Sequence, residues 1–440
     1  MKGSRVFFCA VALVLLAGAV AIGLEPGDTR QWLRLAMGFE VLGGCLVLAL
    51  IWTWRDRPTG RGWLLAVMLI GIALRLAVLP AGRELSDDAA RYHWDGKAIV
   101  HGLNPYLYPP DDPAVAELWT DPVDDRINHP WNRTCYPPVA EALFAVGYLL
   151  SPGRLLGLQW LCLLAEIATW VLLARELARQ RKSWSWLLLL SWSPLLVCQG
   201  YLPGHVDLLA LPFVALLISA TMAGHGARTG FWLAMACLVK PLPLLFLPAI
   251  MRELGLRRSR RALAAFGATI LLAYYPFRSA GVKLFSSTWL MATDWSFNGS
   301  VAAGLERIMP MGSAHLIAGI LTAMGIGIAA WQGRDFPARA SGAGLAFAAF
   351  TPTLFPWYLV CFLPLLVLRP RPALIGLLIM IPLADIVVID HQMIGLWHET
   401  VWVRWVQYVP FFGLLAWEAF HGRIFRHRRD FPRKEMGMPS

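Results

Sequence analysis

Charged residues are scarce in this chain. They make up 15% of its 440 residues, against roughly 25% in soluble globular proteins. That deficit excludes a disordered chain and a coiled coil. Cysteine is thin as well. The seven cysteines show no pairing pattern and no metal-ligand spacing, which excludes a disulfide-stapled secreted module and leaves no reason to expect a metal centre or other cofactor. Six of them (Cys9, Cys45, Cys162, Cys198, Cys237, Cys361) lie inside apolar runs and read as small buried hydrophobes, with Cys135 alone in a polar loop. There is no internal repeat, and no glycine fingerprint of a nucleotide-binding fold.

What is present is apolar. Hydrophobic residues reach 57%, tryptophan numbers 21, and mean hydropathy is +0.55. These values predict an all-α integral membrane protein, a polytopic bundle. The net charge of +11 would suggest nucleic acid in a soluble protein. Here the basic residues fall in short clusters between apolar runs, so the expected partner is a lipid bilayer and not a nucleic acid.

The apolar runs predict helices over 6–24, 32–53, 62–80, 155–176, 184–200, 206–222, 262–276, 314–331, 340–355, 357–369, 373–390 and 403–420. The first reads as a retained anchor, although Ala19 and Ala21 make a weak signal-peptidase motif. Two further pieces are ambiguous. Val139–Ser151 is short for a crossing, which takes about 20 residues. The 229–250 piece carries Lys240 at its centre, followed by Pro241 and Pro243, which break a helix. Basic clusters at Arg55/Arg57/Arg61, Arg175/Arg179/Arg181/Lys182, Arg252–Arg261, Arg334/Arg339, Arg369/Arg371 and Arg423–Lys434 should all be cytoplasmic. Sides alternate consistently if neither ambiguous piece makes a net crossing. Residues 139–151 are then a short interfacial or re-entrant helix, and 229–250 a broken hairpin with Lys240 near its tip. About twelve net crossings leave both termini cytoplasmic. Residues 1–421 form one transmembrane domain, and 422–440 a basic tail that stops transfer and contacts anionic lipid.

This topology gathers the polar, non-repetitive segments on the outer face. They are the long loop 81–138, the Gly204-His205-Val206-Asp207 turn, the 277–300 loop and the Phe355-Pro356-Trp357-Tyr358 turn. The long loop holds ten acids and five bases and is dense in Trp, Tyr, His and Asn, so it should fold onto the bundle. A helix around Asp87–Val100 is expected, ended by Gly102-Leu103-Asn104-Pro105. Asp87 and Asp88, close to a membrane exit, suit either a helix N-cap or a general base whose carboxyl is raised by desolvation. The later acids Asp111, Asp112, Asp121, Asp124 and Asp125 read as solvated surface.

Several outer-face residues admit two readings. Lys240 is either a phosphate ligand or a lysine that snorkels or pairs with a buried acid. Arg91 is either a second phosphate ligand or the partner of Asp87, Asp88 or Asp95 at helical spacing. His205 and Asp207 either cap the following helix or bind hydroxyl groups and orient the base. Trp295, Trp357 and Tyr358 either line a groove or anchor the membrane interface.

Ser86-Asp87-Asp88, Arg91-Tyr92, Trp94-Asp95-Gly96, Gly102-x-Asn104-Pro105-Tyr106 and Tyr136-Pro137-Pro138 resemble the first outer loop of GT-C glycosyltransferases. The likeness is to bacterial polyprenyl-phosphate-mannose-dependent mannosyltransferases, near glycosyltransferase family 87. Gly204-His205-Val206-Asp207, Leu238-Val239-Lys240-Pro241, Trp295-Ser296-Phe297-Asn298 and Pro356-Trp357-Tyr358 also have counterparts there, and the resemblance covers most of residues 60–360. It implies a GT-C-type bundle in a bacterial plasma membrane with its site on the periplasmic face. It also implies inverting transfer of a sugar, mannose for choice, from a polyprenyl-phosphate donor to a glycolipid or glycan hydroxyl. Carried over, Asp87 is the base with Asp88 its neighbour or alternate. Lys240 and Arg91 face the donor phosphate, and His205, Asp207, Asn298, Trp295, Trp357 and Tyr358 shape the sugar site. The rival class is a lipid or solute transporter, which a buried lysine and a proline-broken helix also suit.

Overall fold

The computed structural model describes residues 2–24, 31–56, 58, 60–79, 88–201, 204–287, 295–387, 391, 395 and 397–427. Asp87 and the tail from residue 428 lie outside them. Among the described residues the regular structure is all helical, apart from two isolated bridges that join Phe297 and Asn298 to Thr353. Three helices, Arg61–Val78, Leu156–Arg179 and Met311–Gln332, are long and apolar enough to cross a membrane. Shorter apolar helices accompany them, including Phe7–Ala21, Val41–Thr53, Val206–Met222 and Pro356–Leu368.

Proline placement explains several departures from the predicted runs. The expected 184–200 helix is broken into Trp184–Leu187, Leu188–Ser191 and Pro194–Tyr201, the last starting at its proline. A proline in a helix interior removes one backbone donor and clashes with the preceding turn, so it is accommodated best where a helix begins; Pro410, inside the final helix, is the exception. The final helix, Val401–His427, runs past the expected tail boundary at residue 421.

The lysine hairpin forms as the prolines require. Gly226–Cys237 leads up to Lys240, Leu242–Phe246 turns, and Leu247–Tyr274 leads away. That last helix is not continuous. Gly255 (φ 70°, ψ 170°) reverses it, a conformation open to glycine at little cost. The next pass therefore begins just after Gly255, not at residue 262. Gly226 and Gly230 let this pass lie directly on the first arm. A Cβ at Gly226 would sit 2.5 Å from the Arg258 carbonyl oxygen, and one at Gly230 1.9 Å from that of Ala262. Small residues four apart permit this backbone approach where no hydrophobic force pulls helices together.

The arginine clusters share one end of the bundle. Lys182 donates to the Leu368 carbonyl at 2.7 Å, Arg369 to Asp335 at 2.8 Å, and Arg339 pairs with Glu253. Asp88, His205, Asp207 and Lys240 occupy the other end. The Pro138–Leu150 helix stays at that end. Its first amides donate to the Leu238 carbonyl, and Gly147 near its end meets Gly157 at the start of the long Leu156–Arg179 helix.

Between the two ends lies an ion pair that nothing in the apolar runs announced. Arg75 reaches Glu166 with Nε at 3.3 Å and Nη2 at 2.6 Å, and both side chains are fully buried. Arg75 also donates to the carbonyls of Gly71, Leu190 and Ser191, and its guanidinium lies 5.1 Å from the centre of the Trp170 ring. The Tyr201 hydroxyl donates to Glu166 at 2.8 Å. A bidentate, almost fully satisfied pair of this kind fixes three helices in one register. It also ties Tyr201 to the frame just before the His205 turn.

Candidate functional site

The outer loop folds first onto its own helix. Asp88–Val100 is helical and almost wholly buried, and Gly102 (φ +77°) ends it at the expected place. Gly96 sits where a Cβ would lie 2.3 Å from the Phe144 carbonyl oxygen, so the helix rests directly on Pro138–Leu150. Tyr92 continues that contact, with its ring 4.9 Å from Phe144 and 5.0 Å from Tyr136.

Arg91 takes the ion-pair alternative. Its Nε donates to Asp95 at 2.8 Å and its Nη1 to the Asn132 carbonyl at 2.9 Å, which ties the helix to the far side of the loop. Beneath it, Thr134 donates to the fully buried Glu141 at 2.5 Å. Burial pushes the Asp95 carboxyl up against the pull of Arg91.

The reading of the later acids as solvated needs correction at Asp124. Its side chain is 1% exposed and accepts from Lys97 Nζ at 2.7 Å. The same ammonium reaches Asp121 at 2.8 Å and Thr120 at 2.9 Å, while His93 Nε2 lies 3.4 Å from Asp121. His93, Asp121 and Asp124 converge closely enough to hold a metal ion, and the Lys97 ammonium fills the centre of that group. Its hydrogen bond holds the Asp121 carboxyl below the usual range. Burial works against the Lys97 charge, but the two carboxylates outweigh it and the lysine is raised. Burial lowers His93, against the pull of Asp121.

This packed loop delivers Asp88 to a cluster drawn from distant parts of the chain. Asp88 Oδ1 accepts from Asn128 Nδ2 at 3.3 Å, and Oδ2 lies 3.8 Å from His205 Nδ1. Lys240 Nζ lies 3.4 Å from Asp207 Oδ2 and 5.1 Å from the centre of the Tyr136 ring. His205 and Asp207 are buried, and His205 Nδ1 and Asp207 Oδ2 make no hydrogen bond among the described residues. Burial, with the Lys240 charge adding to it, holds the His205 imidazole well below its usual range, so it is neutral.

The aromatic residues support this cluster from below. Phe297 stacks on Phe355 (4.4 Å between centroids, 19°), Phe355 on Trp357 (4.6 Å, 14°) and Trp357 on His205 (3.6 Å, 24°). Trp357 is therefore the platform of the His205 ring. It is buried, which a membrane-belt anchor would not be. Tyr358 stands edge-on to Phe355 at 5.5 Å. Trp295 lies at the rim, 6.1 Å from Phe355 and 6.4 Å from His129.

Asn298 holds the foot of the column. It is buried, with φ +51°. Its amide donates to Glu399 at 2.8 Å, and its carbonyl accepts from the Tyr408 hydroxyl at 2.6 Å. Its side chain reaches toward the Leu354 carbonyl at 3.5 Å.

The structure thus brings Asp88, His205, Asp207, Lys240 and Trp357 together. It places Arg91 and Asn298 in supporting bonds and Trp295 at the edge. Two contributors went unassigned from sequence, Asn128 and Tyr136. Tyr136 lay inside a motif, but neither residue type signals such a role by itself. No family model matches the chain, and a search of curated proteins finds no relative.

Proposed function

We propose that the protein is a GT-C-type glycosyltransferase that moves a sugar from a polyprenyl-phosphate donor to a glycolipid or glycan hydroxyl. The observation that carries this reading is the convergence of Asp88, His205, Asp207 and Lys240 at the end of the bundle opposite the arginine clusters. Two buried polar atoms of that cluster, His205 Nδ1 and Asp207 Oδ2, make no hydrogen bond among the described residues, the second having only its ion pair with Lys240, and buried polar groups left short of hydrogen bonds are costly unless something else pairs them. By the distribution of basic residues we read that end as the outer face, with about twelve net crossings and both termini cytoplasmic; a bacterial plasma membrane, and with it a periplasmic site, is what the resemblance of the outer-loop motifs implies.

In this reading Asp88, or the adjoining Asp87, takes the proton of the acceptor hydroxyl. The hydroxyl oxygen attacks the anomeric carbon from the face opposite the phosphate. The glycosidic bond forms as the bond from that carbon to the phosphate oxygen breaks, and configuration inverts. Polyprenyl phosphate leaves with the electron pair, and Lys240 stabilises the charge that develops on it. Asp207 holds Lys240 in place until the donor arrives. Neutral His205, flat on Trp357, offers a hydrogen bond to a sugar hydroxyl or to Asp88. Mannose is the sugar of choice from the likeness of the outer-loop motifs.

The test is transfer from radiolabelled polyprenyl-phosphate-mannose to a membrane glycolipid extract by the purified protein in lipid, beside Asp87→Asn and Asp88→Asn. Loss of about 10²–10⁴-fold in one variant, with donor binding retained, is the expected result. Equal transfer by wild type and both variants moves the base elsewhere, with Asp207 next. Absence of both transfer and donor binding in the wild type overturns the reading in favour of a transporter, for which the Lys240–Asp207 pair at a broken hairpin is also suitable.

A further inference from the structure

At the arginine-rich end, far from Asp88 and Lys240, one strip of the Met311–Gln332 helix forms a groove lined by Met324, Gly327, Ile328, Trp331 and Gln332. Its walls are apolar until the last turn. Gly327 leaves the floor open, since a Cβ there would meet nothing within 4 Å. Trp331 is 74% exposed, and the Arg252 guanidinium lies 4.9 Å from its ring centre. Arg252 forms no ion pair among the described residues, although its neighbour Glu253 is taken up by Arg339. Arg257, Arg258, Arg260 and Arg261 follow on the same segment, all exposed and likewise without an ion pair among the described residues.

An apolar groove that ends beside an arginine with no ion pair among the described residues has the two chemistries of one ligand. We infer that this groove binds an anionic phospholipid. One acyl chain lies along Met324, Gly327 and Ile328, and the phosphate sits at Arg252 with Gln332 as a neutral donor. Trp331 holds the guanidinium in place from its other face, because a tryptophan ring attracts a cation electrostatically. The remaining arginines supply a field that favours an acidic headgroup over a zwitterionic one. A soluble anion would have no use for the channel, and a neutral lipid none for the arginine. The site is separate from the proposed transferase cluster and does not depend on it.

The experiment uses the full-length protein in bilayer nanodiscs of mixed phosphatidylcholine and phosphatidylglycerol. Lipids that remain bound are counted by native mass spectrometry after gentle detergent release. Wild type should retain phosphatidylglycerol in preference to phosphatidylcholine. Arg252→Gln should lower that retention about fivefold, the scale of one basic residue at a lipid surface. Gly327→Leu changes no charge and blocks only the channel, and it should lower retention comparably. Gly327 faces open space, so the variant keeps its fold, which thermal unfolding verifies. Retention unchanged in Gly327→Leu would overturn the proposal and leave only diffuse attraction to the arginines. Equal retention of both lipids by wild type would overturn it as well.

Discussion

Replacing Lys97 by Met tests the link between the outer loop and the cluster it carries. The Lys97 ammonium makes three contacts, at 2.7, 2.8 and 2.9 Å, to Asp124, Asp121 and Thr120. After its removal Asp121, whose side chain is 23% exposed, can rehydrate. Asp124 cannot, being 1% exposed. Among the described residues it keeps the backbone amides of Thr120 at 3.2 Å and Asp121 at 3.0 Å. Stranding a buried charge costs about 3–5 kcal/mol when nothing compensates. Two surviving amide bonds to a charged acceptor offset part of that, so a net loss of about 2–4 kcal/mol is expected. The loss should be local. Amide hydrogen exchange over residues 113–127 should quicken, while the Leu156–Arg179 helix stays protected. Transfer activity should fall too, because Asn128 holds Asp88 from that same segment. Adding Asp124→Asn removes the stranded charge but keeps the acceptor, and should recover about half of the loss. Unchanged exchange over 113–127 in Lys97→Met would refute the reasoning.

The remaining expectations concern the support of the cluster and its response to pH. Trp357→Ala should cost more turnover than Trp357→Phe, since phenylalanine still carries the His205 ring; equal losses would sink the platform role. Gly230→Ala should prevent stable assembly, because its Cβ would lie 1.9 Å from the Ala262 carbonyl oxygen, and a variant with wild-type thermal stability would show that the two passes do not lie so close. The contribution of the His93, Lys97 and Asp121 group to the outer loop should be greatest from about pH 7 to pH 10. His93 is lowered in the fold, so its contribution erodes as pH falls below about 6.5. Asp121, also lowered, keeps its contribution above about pH 3.9 and loses it as pH falls through its folded value. Lys97 is raised, so its contribution persists up to about pH 10.4 and is lost as pH rises through its folded value. Limited proteolysis of residues 113–127 reads this profile, and a loop equally resistant at pH 7 and pH 4 would contradict it.

Some of this arrangement was legible in the chain. A lysine with prolines one and three residues after it inside an apolar run breaks the helix there, and Lys240 sits at that turn. Arg91 and Asp95 stand four apart on a helix and pair as such positions do. The Asp88–Val100 helix and its glycine stop were visible for the same reason, because caps and turns are local. What stayed hidden was long-range. Arg75 and Glu166 are single charges in separate apolar runs, 91 residues apart, and nothing local says that they meet. Asp124 looked like its solvated neighbours because burial of one acid among several depends on where Lys97 ends up. Trp357 could not be told from an interface tryptophan until its ring was found against His205.

The aromatic column also orders events during synthesis. His205 emerges early, but its platform belongs to residue 357, and the foot of that platform is held by Glu399 and Tyr408. A nascent chain made as far as residue 240 already contains Asp88, His205, Asp207 and Lys240, yet cannot hold His205 as the finished protein does. The column is complete only when the residue 357 segment and the final helix have packed against the earlier part of the chain. A chain cut before residue 399 would keep Asp88, His205, Asp207 and Lys240 but lose the bonds to Asn298 that anchor the column under His205.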